Sequence, residues 1–149
     1  MLIGIPKLIS AELLNVLMKM GHGDEIVIAD GNFPADSIAR STVHGKPVEL
    51  SAAGLIDTVE AILRLFPLDA ASSQPIAHMA SYEGMEEQPI HAALRELCAK
   101  AGAGAEKIEA IPRFAFYDRA KAAYAVVSTS ETARFANVIL KKGGVKFTE

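Results

Sequence analysis

Gly21-His22-Gly23-Asp24-Glu25-Ile26-Val27-Ile28-Ala29-Asp30 is the stretch that decides the fold. Glu25 to Ala29, apolar without a break from Ile26, reads as a mostly buried strand. The glycines on either side of His22 leave that imidazole uncrowded in a turn before the strand, and Asp30 sits at the strand's carboxyl end.

Upstream of this stretch, Ser10 is placed to cap a helix over Ala11 to Met20, and Gly21 supplies a left-handed stop. Leu13, Leu14, Val16, Leu17 and Met20 make its apolar face. Downstream, residues 31–40 read as a polar loop around Pro34, and 41–50 as short extended pieces near Val43 and Val48. Leu55, Val59, Ile62 and Phe66 share one face of a helix predicted over Ser51 to Phe66, which Pro67 stops. A strand follows from Ile76 to Ser81. Pro89 opens a third helix carrying Leu94, Leu97 and Cys98, closed by Gly102 and Gly104. The remainder reads as a strand over Glu106 to Ile111, a helix over Arg113 to Ala123, a strand over Tyr124 to Ser128 and a closing strand over Asn137 to Lys141. The Lys141-Lys142 pair reads as a solvated strand edge.

Helices and strands therefore alternate along the whole chain. That order predicts an α/β fold: one domain over residues 1–149, a layered α/β/α sandwich around a central mixed or mostly parallel sheet. No repeat, low-complexity tract or linker divides it.

Composition narrows the function. The 149 residues carry 15 basic and 18 acidic side chains, scattered and netting −3, so no basic stripe favours nucleic acid or an anionic membrane. No apolar run approaches the length of a membrane-spanning helix. The N-terminus lacks the basic start and small-residue cleavage site of a signal peptide. Cys98 is the single cysteine, which rules out a disulfide within the chain and suits a reducing compartment. The expected location is the cytoplasm.

Familiar chemistries fail on spacing. Gly21 and Gly23 precede a strand instead of following one, and position 26 is Ile where a dinucleotide fingerprint needs a third glycine. No phosphate-cradling loop occurs. His22, His44, His78 and His91 are dispersed without metal-ligand spacing, so no metal and no cofactor is expected. Cys98, on an apolar helical face, reads as core rather than nucleophile.

Two segments are unusual for a pure scaffold: Gly21 to Asp30 followed by Asn32-Phe33-Pro34, and Arg113-Phe114-Ala115-Phe116-Tyr117-Asp118-Arg119-Ala120 continuing to Glu131 and then Phe135 to Gly143. With these strings the chain resembles the family of ribose pyranases and L-fucose mutarotases, nearly end to end and more closely its fucose branch. Residues 38–105 resemble it less. The resemblance implies a cofactor-free isomerase interconverting the anomers of L-fucose or a related monosaccharide. It implies that His22 donates the proton, that Asp30 holds sugar hydroxyls, that Arg113 binds the sugar, and that Phe135, Ala136 and Asn137 line the pocket. It also implies a homo-oligomer, typically a ring of ten, with pockets near subunit boundaries. The chain departs from the family pattern at Phe135, where Tyr is usual, at Ala136, where fucose-type members carry Gly, and at Asp36, where His is common.

The chemistry suits such residues. Mutarotation opens a hemiacetal and recloses it, moving one proton off the anomeric hydroxyl and one onto the ring oxygen. An imidazole of ordinary pKa about 6.5 serves in both directions near neutrality. The reaction also runs unaided in water, so the roughly 10²–10⁴-fold of general acid–base catalysis suffices. Spacing raises a question, since the eight residues from His22 to Asp30 span roughly 26–29 Å when extended. Either the turn folds back, or a pocket takes His22 and Asp30 from neighbouring chains.

Each residue also has a plainer reading. His22 could be a turn residue, Asp30 a strand terminator, Arg113 a surface cation, Asn137 a backbone-bonding residue at a strand start, and Phe135 and Tyr117 core. His44, His78 and His91 read as structural or solvated. Three functions remain side by side: L-fucose mutarotase, D-ribose pyranase, and a sugar-binding or regulatory module without catalysis.

Overall fold

The computed structural model describes residues 1–147; Thr148 and Glu149, which the predicted domain includes, lie outside the described residues. The elements run α1 (Ala11–Lys19), β1 (Glu25–Ala29), α2 (Ala35–Ala39), β2 (Val48–Leu50), α3 (Leu55–Leu63), β3 (Ile76–Met79), α4 (Pro89–Lys100), a 3₁₀ turn (Ala105–Lys107), β4 (Ile108–Ile111), α5 (Arg113–Lys121), β5 (Ala125–Thr129) and β6 (Val138–Lys141). The strands form one six-stranded sheet in the order β2-β5-β1-β6-β3-β4. β1 pairs in parallel with β5, β2 with β5, and β3 with β4, while β6 runs antiparallel to both β1 and β3. Its direction follows from connectivity. A parallel neighbour needs a crossover of roughly a dozen residues or more, usually helical. Residues 130–137 contain no helix, so the chain leaving β5 turns straight back.

The alternation of β1 divides the core in two. Ile26 and Ile28 join Leu13, Val16, Leu17, Leu55, Val59, Ile62, Leu94 and Cys98 from α1, α3 and α4. Val27 and Ala29 point the other way, onto Ala35, Ile38, Phe116 and Ala120 from α2 and α5. Three layers result, as the alternating order predicts, and the sheet is mixed. The start of α1 follows from its sequence, since Ser10 Oγ accepts from the Leu13 amide at 3.1 Å. Its end does not use the predicted left-handed Gly21: the chain turns extended at Met20, and positive φ falls two residues past Gly21, at Gly23 in the turn before β1.

Four further local expectations are corrected. The loop predicted over 31–40 contains α2, whose Ala35, Ile38 and Ala39 are buried; it has five residues and no side-chain cap, so little marks it locally. Val43 is exposed and outside the sheet, and only Val48–Leu50 forms a strand. The helix expected from Ser51 starts at Leu55, because its capping acceptor is remote: Glu131 Oε2 takes the Leu55 amide at 3.0 Å. The Lys141-Lys142 pair is not a sheet edge. Lys141 belongs to β6, third from one side of the sheet, and its Nζ lies 3.7 Å from Glu25 Oε1. Among the described residues no helix is long and apolar enough to cross a membrane.

Candidate functional site

The carboxyl ends of β1 and β3 and the start of the antiparallel β6 meet at one rim of the sheet. Open α/β sheets bind ligands outside the carboxyl ends of their strands. Here that rim carries a hollow of about 170 Å³, lined among others by Asp30, Phe33, Tyr82, Arg113, Phe135 and Asn137, with Asn32, Met79, Tyr117 and Arg134 completing it. The volume lies below the roughly 300 Å³ at which drug-sized sites begin, and suits one small polar molecule.

Asp30 is buried at the base. Its backbone amide donates to Asn137 Oδ1 at 2.8 Å, Asn137 Nδ2 donates to Asp30 Oδ2 at 3.0 Å, and the Asn32 amide donates to Asp30 Oδ1 at 3.0 Å. A carboxylate offers about four lone pairs, so both oxygens keep capacity for ligand hydroxyls. Opposite, α5 begins immediately after Pro112, which places Arg113 on its first turn beside the hollow. Arg113 Nε donates to Tyr117 Oη at 2.9 Å and Nη1 to Tyr82 Oη at 3.2 Å. These phenol oxygens hold the guanidinium further toward its charged form. Because both phenols accept from Arg113, each keeps its own proton to donate elsewhere. Aromatic edges close the walls: Tyr82 against Phe135 with centroids 5.0 Å apart, and Phe33 against Tyr117 at 5.4 Å. The hollow thus pairs hydroxyl-binding groups with apolar faces.

His22 stands at the opposite rim. β1 rises roughly 3.3 Å per residue, and His22 precedes it while Asp30 follows it, so no fold-back joins them within one chain. The His22 side chain is 59% exposed and its Nε2 lies 2.9 Å from Asp69 Oδ1. Asp69 also accepts the Ala71 amide at 3.0 Å, and His22 together with that amide holds its carboxyl below the usual range. An ionised carboxylate only accepts, so Nε2 carries the hydrogen and Nδ1 of neutral His22 is the nitrogen left to take a proton. Asp69 reaches His22 because Leu68 crosses close over Gly143: a Cβ on Gly143 would meet the Leu68 carbonyl oxygen at 2.5 Å.

Comparison with known proteins decides the family. The model of the RbsD / FucU transport protein family matches residues 3–145. The chain belongs to that family. Within it, the chain is 43% identical over 144 residues to the L-fucose mutarotase of Actinobacillus pleuropneumoniae serotype 5b (strain L20), covering 96% of each protein. It is 44% identical over 146 residues to the fucose mutarotase of Homo sapiens, covering 94% of this chain and 92% of the human one. Among solved structures, the fucose mutarotase of Streptococcus pneumoniae in complex with L-fucose superposes with a TM-score of 0.91 at 40% identity, over 97% of this chain and all of that one. Bacillus subtilis RbsD complexed with D-ribose shares the fold, with a TM-score of 0.72 at 23% identity over 92% of this chain and 95% of that one.

On this RbsD / FucU scaffold, Asp30, Arg113, Phe135 and Asn137 come together in the hollow. Ala136 lies beside them in sequence, but its side chain is buried in the core shared with α1, α3 and α4. His22 is at the other rim. Asn32 and Phe33, which follow Asp30 in the first unusual segment, also line the hollow, while nothing in the sequence marks Tyr82, Met79, Arg134 or Asp69. Tyr117 serves as both core and wall: it packs against the core cluster of α2 and α5, and its hydroxyl is satisfied by Arg113 at the hollow. Cys98 is buried and its thiol is pushed up to about 11 by burial, consistent with a core residue. Among the described residues no group of three or more His, Cys, Asp or Glu side chains is arranged to hold a metal ion.

Proposed function

We propose that the protein is a monosaccharide mutarotase, an isomerase interconverting the anomers of L-fucose or a close relative, built as one domain over residues 1–149. The observation that carries this reading is the polar hollow at the sheet rim, where Asp30, held open by Asn137, faces Arg113 and its two phenols. The 43–44% identity to named fucose mutarotases supports the same reading.

In this reading Asp30 and Asn137 hold sugar hydroxyls, Arg113 donates to them, and the rings of Phe33, Tyr82 and Phe135 pack on the sugar's C–H faces. His22 moves the proton that ring opening requires, with Nδ1 as the exchanging atom and Asp69 orienting the ring. Ala136 acts through the backbone of its turn. No cofactor takes part, and the site of action is the cytoplasm.

His22 and the hollow belong to opposite rims of one chain, so the working site takes each from a different copy. A homo-oligomer follows, with every hollow capped by a neighbour's His22 turn; a head-to-tail arrangement of this kind forms a ring where its rotation closes, and a ring of ten is the expected form. A sugar-binding module without catalysis is the second reading. It is favoured by one observation: among the described residues no imidazole lines the hollow.

Saturation-transfer NMR with L-fucose, D-ribose and D-galactose separates them. Exchange between anomer signals that disappears in His22→Ala establishes the mutarotase. Binding without exchange leaves the module. Exchange strongest with ribose moves the assignment to a pyranase.

A further inference from the structure

Two histidines outside the hollow are tied to its wall. His78 in β3 and His91 in α4 are both buried, with rings stacked at 4.0 Å between centroids and 28° between planes. His91 Nε2 lies 2.9 Å from the carbonyl oxygen of Phe135, and His78 Nδ1 lies 3.1 Å from that of Met79. A carbonyl only accepts, so each of these nitrogens carries its hydrogen and donates it. Both accepting residues line the hollow.

Phe135 is where this matters. It is the only non-glycine at positive φ among the described residues, at 56°. L side chains avoid that region, and such a conformation persists only where the surroundings impose it. The Phe135 ring packs edge-on against Tyr82, while Asn137, two residues further on, grips Asp30. The carbonyl at the centre of this turn receives its hydrogen bond from a side chain 44 positions away in sequence.

We propose that His91 is a positioning residue of the hollow: by donating to the Phe135 carbonyl it holds the left-handed turn that aims the Phe135 ring and sets Asn137 against Asp30. His78, stacked on its face, restrains the His91 ring from turning away. The consequence for sugar rests on the mutarotase reading; the hold on the turn does not.

The test compares wild type with His91→Leu, His91→Asn and His91→Gln, each first checked for cooperative thermal unfolding. Leu cannot donate, and Asn is too short to reach the carbonyl. Gln can place an amide N–H near the position of Nε2. The expected result is a KM for L-fucose about tenfold higher in the Leu and Asn variants, equivalent to about 1.4 kcal/mol of lost hydrogen bonding. Their kcat should be little changed, and KM should recover in His91→Gln. A merely structural role would lower stability in all three without this split or this rescue. Crystal structures supply a readout independent of turnover: Phe135 should leave positive φ in His91→Leu or His91→Asn and keep it in His91→Gln. An unchanged KM and an unchanged Phe135 turn in whichever of the non-donating variants folds overturns the proposal. Should wild type exchange no anomers at all, the mutarotase reading falls, and the Phe135 turn alone decides the role of His91.

Discussion

Asn137 holds Asp30 with both ends of its amide, accepting from the Asp30 backbone at 2.8 Å and donating to the Asp30 carboxylate at 3.0 Å. The two residues lie 107 positions apart and are both buried, so this contact staples the end of β1 to the start of β6 at the floor of the hollow. Asn137→Ala removes both bonds and leaves the buried Asp30 amide and Asp30 Oδ2 without their partner, which costs roughly 1–3 kcal/mol. Chemical denaturation should show that loss, and KM for the sugar should rise. Asn137→Asp should be worse near neutrality, because two carboxylates at hydrogen-bond distance cannot both ionise comfortably. Its activity should improve on the acid side, where the pair shares a proton.

At the other rim, His22→Ala should lose the general acid–base contribution, roughly 10²–10⁴-fold in kcat, while the hollow continues to bind sugar. Asp69→Asn should fall between that variant and wild type in kcat with KM nearly unchanged, because the amide no longer dictates which imidazole nitrogen carries the hydrogen. Anomer-exchange NMR reads both. An Asp69→Asn protein with wild-type kcat would remove Asp69 from the mechanism.

Separation of His22 from Asp30 within one chain makes complementation measurable. His22→Ala and Asp30→Asn proteins should each be nearly inactive. Unfolded together and refolded at equal ratio, they should recover about one quarter of wild-type activity if each site draws on two neighbouring copies at random. No recovery would mean that both residues act from one chain, or that the assembly does not exchange.

Stability should depend on pH through His78. Burial holds this imidazole below its ordinary value of about 6.5, with His91 and Arg95 acting in the same direction and the Met79 carbonyl and Glu87 opposing. The unfolded chain therefore binds a proton before the folded one does. Stability is intact above the unfolded value and declines as pH falls through and below it, with a slope of at most about 1.4 kcal/mol per pH unit for one proton. Urea titrations at several pH values should show that slope, and His78→Met should flatten it.

Much of the architecture was legible in local pattern. The apolar run of β1, the Ser10 cap, the Pro89 start and the β-branched run of β5 each carry their own signal, and they correspond to elements in the structure. What escaped was set at long range. The five-residue α2 has no cap and forms because Ile38 is buried against the sheet. α3 starts at Leu55 because Glu131, 76 residues later, accepts its first amide. Lys141 looked like an edge residue because charge alone cannot reveal that β6 re-enters the middle of the sheet. The site divided the same way. Asp30, Arg113 and Asn137 stood in distinctive strings, whereas Tyr82 lies on a featureless loop and Asp69 in an ordinary turn after Pro67. Each gains meaning only from a partner the chain brings to it from 31 and 47 residues away.

β6 is only four residues long, yet one end abuts the Asp30 clasp and the other end takes the Gly23 amide on the Lys142 carbonyl and the Asp69 amide on that of Lys141. It is therefore a spacer that sets how far the His22 corner of the chain stands from the Asp30 hollow of the same chain. Loops at either rim can vary freely without altering that interval. Adding one residue inside the strand would both lengthen it and turn its side chains to the wrong face, spoiling the two corners at once.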